Sequence, residues 1–311
     1  MITHTQTPRQ AQAVGAVTLA ATGFSLGFII AKGIRLPPTT VAFGRTWAGA
    51  LLLLAVVRAR RRGLSWLPPR DAWRPVILAG LSFGAHQMLF ISASQATSIS
   101  IVTLLQGLQP LLVAMVSRRL LDEPVPRALA GASMAAVGGV ATVVLANQHD
   151  ASHSATGDLL AVLNLFAFLG YFLASKLARN TGLDSLSLTA WSLTVAAVVL
   201  TPGFIARGDW TLPAAWQLGL ILFHAWIPGN GHILVNWAHS HSSAALASVL
   251  LSLVPVLASL WAYLLFDEPY GVWHIVGTLL TLGAIEAGRR AGTAPKELQA
   301  LSASTVTKQR T

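Results

Sequence analysis

The sequence predicts an all-α integral membrane protein of ten transmembrane helices, arranged as two inverted five-helix repeats. Composition is the first observation behind this. Of 311 residues, 54% are hydrophobic and only 10% charged, and mean hydropathy is +0.61. A soluble domain carries about 25% charged residues to keep its surface wet, so this chain needs lipid as its solvent. The second observation is a series of mostly apolar stretches of about 20 residues, the length that crosses hydrocarbon. The third is an internal repeat. Asp122-Glu123-Pro124 recurs as Asp267-Glu268-Pro269 at an offset of 145, and Pro110 and Pro255 keep the same offset. "GFIIAK" (27–32) matches "YFLASK" (171–176), and Gly138 matches Gly283.

The elements follow in order. A polar segment, 1–13, lacks a small-residue cleavage site and reads as a retained cytoplasmic tail. The first repeat, 14–146, holds spans at 14–34, 39–57, 75–95, 99–121 and 127–146. The second, 157–288, holds spans at 157–178, 185–206, 214–237, 242–266 and 271–288. A second tail occupies 289–311. The longest loop, 58–74, leaves no room for a soluble domain. With the N-terminus inside, 17 of the 21 Lys and Arg fall on the cytoplasmic side. Lys32, Arg35 and Arg207 fall outside, and Arg45 lies within span two. That asymmetry sets the orientation by the positive-inside rule, with both termini cytoplasmic. Five spans per repeat is an odd number, so the second repeat enters the membrane from the opposite side. Inverted repeats of this kind build secondary transporters, with substrate held near the midplane between them.

The same argument disposes of other classes. The net charge of +10 and the run "RARRR" (58–62) suit topology better than phosphate, so no nucleic-acid partner is expected. The absence of cysteine removes thiolate catalysis and zinc–thiolate sites. The Asp-Glu-Pro triplets read as structural turns: proline halts the preceding helix and can open the next.

The stretches "SIVTLLQGLQPLLVAMVSRRLLDEPVP" (100–126) and "SAALASVLLSLVPVLASLWAYLLFDEPYG" (243–271) share a small-residue entry, a mid-helix proline and an acidic turn. With "GFIIAKGIRLPPTTVAFGRTWAGALLLL" (27–54), they resemble the ten-span EamA family of the drug/metabolite transporter superfamily, over roughly 14–290. The family's acidic turn is often Gly-Glu where this chain has Asp-Glu. The resemblance implies a central cavity lined mainly by spans one, three, four, six, eight and nine. It also implies transport of small metabolites, often amino acids and frequently outward.

Polar side chains within spans are costly in hydrocarbon and face a cavity or a partner. In "HAWIPGNGHILVNWAHSH" (224–241), His224, Pro228, His232 and Asn236 recur every four residues and share one stripe. Pro228-Gly229-Asn230-Gly231 is expected to break or loosen that helix. His232 and Asn236 either line the cavity or make structural hydrogen bonds, while His239 and His241 are expected to be solvated. The offset sets Gln87 opposite His232, with His86 beside it. Gln106 on span four, with Asn164 and Tyr171 on span six, completes the expected lining. Trp226, Trp237 and Trp261 either reach the cavity or do not. Trp66, Trp73 and Trp210 read as interfacial anchors, and Gln109 either faces the cavity or makes an interhelical bond. Gly131, Gly138, Gly277 and Gly283 are expected at close helix contacts. Lys32 and Lys176 sit at span ends, where they can snorkel. Arg45 lies about 10 Å below the outer surface at 1.5 Å per residue, with no obvious acidic partner. The expected substrate-binding set is therefore Arg45, His86, Gln87, Gln106, Asn164, Tyr171, His232, Asn236 and Trp237.

No cofactor or metal is expected, since two histidines without an intramembrane carboxylate or thiolate fall short of a zinc set. An enzyme is disfavoured: there is no G-x-S-x-G, and Ser82 with His86 is a weak pair. The expected partners are the bilayer and a small polar, amino-acid-like solute, with the chain a monomer or weak dimer. The favoured reading is a metabolite exporter of the inner membrane; a multidrug or cation efflux carrier is the alternative. A cation carrier needs a mid-span acid, and no carboxylate lies there. The histidines are the remaining titratable groups, so uncoupled transport or exchange is preferred over proton drive.

Because the chain lacks cysteine, the topology is directly testable. In intact cells, an impermeant thiol reagent should label Ser154→Cys and leave Gly63→Cys untouched. The reverse pattern would invert the orientation.

Overall fold

The structure, a computed structural model, describes residues 8–61, 65–97, 99–145, 154–207, 212–266 and 270–292. Among them every regular element is a helix. The helices are α1 (Pro8–Gly33), α2 (Pro38–Arg60), α3 (Trp73–Ala96), α4 (Ile99–Gly107), α5 (Gln109–Leu120) and α6 (Arg127–Leu145). They continue as α7 (Ala155–Asn180), α8 (Ser185–Arg207), α9 (Ala215–Ala238), α10 (Ala244–Leu251), α11 (Leu253–Phe266) and α12 (Val272–Gly292). A 3-10 turn, Arg70–Ala72, precedes α3. Nine segments among the described residues are long and apolar enough to cross a membrane. The helix α12, matching the tenth expected span, is less apolar and is not one of these nine.

Spans four and nine are each broken in two. The breaks fall at Leu108 and Ser252, just before Pro110 and Pro255. Proline has no N–H, and its ring crowds the carbonyl four residues earlier. The chain answers by tightening: Leu108 N bonds Leu105 O and Ser252 N bonds Val249 O, each at 3.1 Å and three residues back. The break expected at Pro228 is absent, and α9 runs unbroken through it. Packing against α1 explains this. A Cβ on Gly23 would lie 3.2 Å from the Ile227 carbonyl oxygen, and one on Gly27 3.1 Å from His224 Nε2. Bare backbone on α1 lets it lie close against α9 in the turn leading into the proline.

The largest interhelical contacts pair α1 with α9, α3 with α7, α2 with α8, and α6 with α12. Small buried residues such as Ala13, Val17, Ala20 and Ala31 fill the α1 side of the core. Leu19, Leu51, Met134 and Leu279 stand exposed, as lipid-facing side chains do. Close approach of α6 and α12 depends on Gly139 and Gly277: a Cβ on either would fall within 3 Å of the opposing backbone. Gly131, Gly138 and Gly283 have open space beside them instead, so the expected role shifts by one residue on α6 and is lost at Gly283.

The end of the bundle where α7 finishes is tied by charge. Lys176 is buried, not snorkelling: its Nζ pairs with Glu123 Oε1 at 2.8 Å and donates to the carbonyls of His239 and Ser242. The other Glu123 oxygen accepts Ala244 N–H at 2.8 Å, capping α10. Glu123 thus serves α7 and α10 rather than opening the next helix, and α6 begins at Arg127, beyond Pro124. Asp122 turns the chain there with φ of 52°. Lys32, the counterpart of Lys176, donates to Thr97 O at 3.0 Å. The second triplet, 267–269, lies outside the described residues.

His239 is also buried, its ring edge-on to Phe172 at 4.6 Å, contrary to the expected solvation. Trp66 and Trp73 each contact Trp191 at 5.2 Å, while Trp210 lies outside the described residues. Between α7 and α8, Asp184 caps α8 by accepting Ser187 N–H at 2.9 Å and pairs with Arg61 at 2.5 Å. Partial burial works against the charged carboxyl, but the Ser187 bonds and Arg61 outweigh it and hold its pKa below the usual range.

Candidate binding cavity

Where the two broken helices turn, a small cavity of about 50 Å³ opens. Its polar wall is Arg45 from α2, His86 and Gln87 from α3, Gln106 from α4, Gln109 from α5, and His224 and His232 from α9. Its apolar wall includes Phe24 and Phe28 from α1, Phe90 from α3 and Phe168 from α7, with Leu251, Val254 and Pro255 at the second break.

The hydrogen bonds show which side chains serve the cavity and which support it. Arg45 is buried and donates through Nη1 to Gln87 Oε1. Among the described residues no acid lines the cavity. His86 Nδ1 lies 2.7 Å from Asn164 Oδ1. An amide oxygen only accepts, so His86 Nδ1 carries the proton and Nε2 is left as an acceptor in the neutral ring. Asn164 therefore orients His86 from behind the wall. The His232 ring is held edge-on to Phe83 at 4.8 Å and to Tyr171 at 5.2 Å, with Phe24 at 4.6 Å.

Besides Asn164, three more expected lining residues lie elsewhere. Asn236 Nδ2 donates to Tyr171 Oη at 3.1 Å and to Thr189 Oγ1 at 3.0 Å, a polar tie joining α9, α7 and α8 beyond the cavity. Tyr171 is spent in the same tie. Trp237 stacks on His241 at 4.3 Å, one helical turn away on its own chain. Trp226 is exposed on the outer face, and Trp261 Nε1 donates to Ser25 Oγ at 2.8 Å. In their place, Gln109 and His224 join the wall. The interhelical bond open to Gln109 is not made by its Nε2, which has no hydrogen-bond partner. His224 was signalled by its position on the Pro228–His232 stripe. Among the described residues, no group of three or more His, Asp or Glu gathers to hold a metal.

The EamA-like transporter family model matches residues 12–145 and again 155–285. Protein PecM of Dickeya dadantii (strain 3937) is 26% identical over 75% of this chain and 81% of its own length. The pseudopaline exporter CntI of Pseudomonas aeruginosa (strain UCBPP-PA14) is 24% identical over 86% and 92%. The uncharacterized transporter YoaV of Bacillus subtilis (strain 168) is 25% identical over 79% and 85%. A crystal structure superimposes with a TM-score of 0.73 over 93% of this chain and 99% of its own, at 17% identity. That likeness concerns the fold alone.

Asn236 and Gln106 separate structural from cavity-facing polarity. Asn236→Ala leaves Tyr171 and Thr189 without their shared donor and should cost about 1–3 kcal/mol, read as a lowered melting temperature of the purified protein. Gln106→Ala should melt within error of the parent. Equal melting of the two variants would contradict the division.

Proposed function

Because the chain belongs to the EamA-like transporter family, we propose that it exports amino acids or related polar metabolites across the bacterial inner membrane by alternating access. The observation that carries this reading is the cavity's place, at the turn of both broken helices and lined by polar groups that hydrocarbon would not tolerate. The family is one of transporters, and CntI and YoaV are an exporter and a transporter by name, which leaves no enzymatic reading. The outward direction draws on CntI, an exporter by name.

Two inverted repeats account for the helix pairing. Exchanging the halves turns the α1–α9 contact into α7–α3, and returns α2–α8 and α6–α12 to themselves. The breaks at Leu108 and Ser252 exchange likewise, as do the bonds from Lys32 to Thr97 O and from Lys176 to Ser242 O. With both termini cytoplasmic, as the distribution of Lys and Arg favours, the Glu123–Lys176 pair closes the inner end of the bundle. Rocking of one unit against the other about the cavity then exposes it to either side. No carboxylate lines the cavity among the described residues, so a coupled proton would need His86, His224 or His232. Neutral histidines that hydrogen-bond the solute are the simpler assignment, and transport runs down the solute's own gradient or by exchange.

The test compares metabolites retained by cells with and without the protein. Expression should lower at least one polar, carboxylate-bearing metabolite inside the cells several-fold and raise it in the medium. Gln106→Ala, present at normal level in the membrane, should abolish the difference. Matching metabolite profiles with and without expression would contradict the exporter reading.

A further inference from the structure

We propose that the cavity selects organic anions: the Arg45 guanidinium takes a carboxylate, the aromatic wall takes a flat apolar body, and no acidic side chain answers an ammonium group. This rests on the transporter reading above and narrows its substrate class from amino acids toward their deaminated, purely anionic counterparts.

Charge is the first support. Arg45 is 5% exposed, and a buried cation costs several kcal/mol unless an anion answers it. Its hydrogen-bond partner, Gln87, is neutral, and among the described residues no acid lines the cavity. The site therefore carries one uncompensated positive charge until a solute supplies the negative one. A guanidinium offers five N–H donors in a planar fork that matches a carboxylate two bonds at a time, and Gln87 occupies one nitrogen.

The balance of donors and acceptors points the same way. Gln87 Nε2, Gln109 Nε2 and His224 Nδ1 belong to cavity-lining residues and have no hydrogen-bond partner. The two amide nitrogens can only donate, which suits a carboxylate. An ammonium finds only neutral acceptors here, such as His86 Nε2, while Gln87 Oε1 is already engaged by Arg45. A zwitterion entering here strands its ammonium beside an arginine.

Shape supplies the rest. Phe28 and Phe90 meet edge to face at 4.9 Å, and Phe168 lies against His86 at 4.7 Å. Rings presented at such angles accept another ring in offset or edge-on contact. An aryl carboxylate can thus lay its ring among the phenylalanines with its charge on Arg45.

Three probes of one shape separate the charges: 3-phenylpropanoate, phenylalanine and 2-phenylethylamine. Binding to the purified full-length protein is read as the concentration needed to raise its melting temperature. 3-Phenylpropanoate should act at concentrations at least ten-fold below phenylalanine, and phenylethylamine should have no effect. Arg45→Gln should abolish the response to 3-phenylpropanoate, while Arg45→Lys should keep the preference at reduced affinity. Phenylalanine or the amine acting at equal or lower concentration overturns the proposal, as does an unchanged response in Arg45→Gln. The wild-type series decides alone should Arg45→Gln fail to fold. Silence of all three probes also overturns it. A metabolite-retention difference alongside that silence leaves the transporter reading standing, and its absence removes both.

Discussion

A guanidinium buried among apolar helices sets the terms for the structure around it. Lipid offers no hydrogen bonds, so every polar group at that depth must find a partner in protein or water in a cavity. Arg45 on α2 takes Gln87 on α3, and the next residue, His86, takes Asn164 on α7. Beyond them Asn236 on α9 joins Tyr171 on α7 to Thr189 on α8. Lys176 and Glu123 then fasten α7 to the turn before α10. Each tie crosses between helices and contributes about 1 kcal/mol net, while breaking one strands its partner at greater cost. The polar groups are few because hydrocarbon is unforgiving, and each one therefore fixes a neighbour.

Backbone chemistry opens the space those ties surround. Pro110 and Pro255 interrupt two long helices at matching depth, and the freed turns border the cavity. Glycines bring helices together. Gly23 and Gly27 set α1 on α9, Gly27 at the cavity wall itself, and Gly139 and Gly277 set α6 on α12.

Much of this was legible in the sequence because its signals are local. Span length and apolarity mark the helices, and the lone mid-span charge marks Arg45 as a group needing an answer. The Pro110/Pro255 offset singled out the two helices that break, though the break was expected at Pro228. Its absence there depends on glycines of α1, distant in sequence. The same limit governs the site. His232 and Asn236 lie one turn apart on one stripe, and periodicity cannot tell them apart. Both touch Tyr171, but His232 also lines the cavity, whereas Asn236 is spent on Tyr171 and Thr189. Lys176 and His239 looked like surface residues from their place at span ends. The Glu123 turn, folding back from 53 residues before Lys176, pairs with that lysine, and Phe172 packs against His239.

The central claim is that water and solute reach a cavity around Arg45 in the middle of the bundle. A cysteine-free chain allows a direct measurement, the rate at which a small hydrophilic thiol reagent modifies single cysteines. Gln106→Cys, in the cavity wall, should react readily in the membrane, while Met134→Cys on the lipid-facing side of α6 should stay inert. A Gln106→Cys protein as unreactive as Met134→Cys, though folded and reactive once denatured, would show the cavity closed to water and contradict the account.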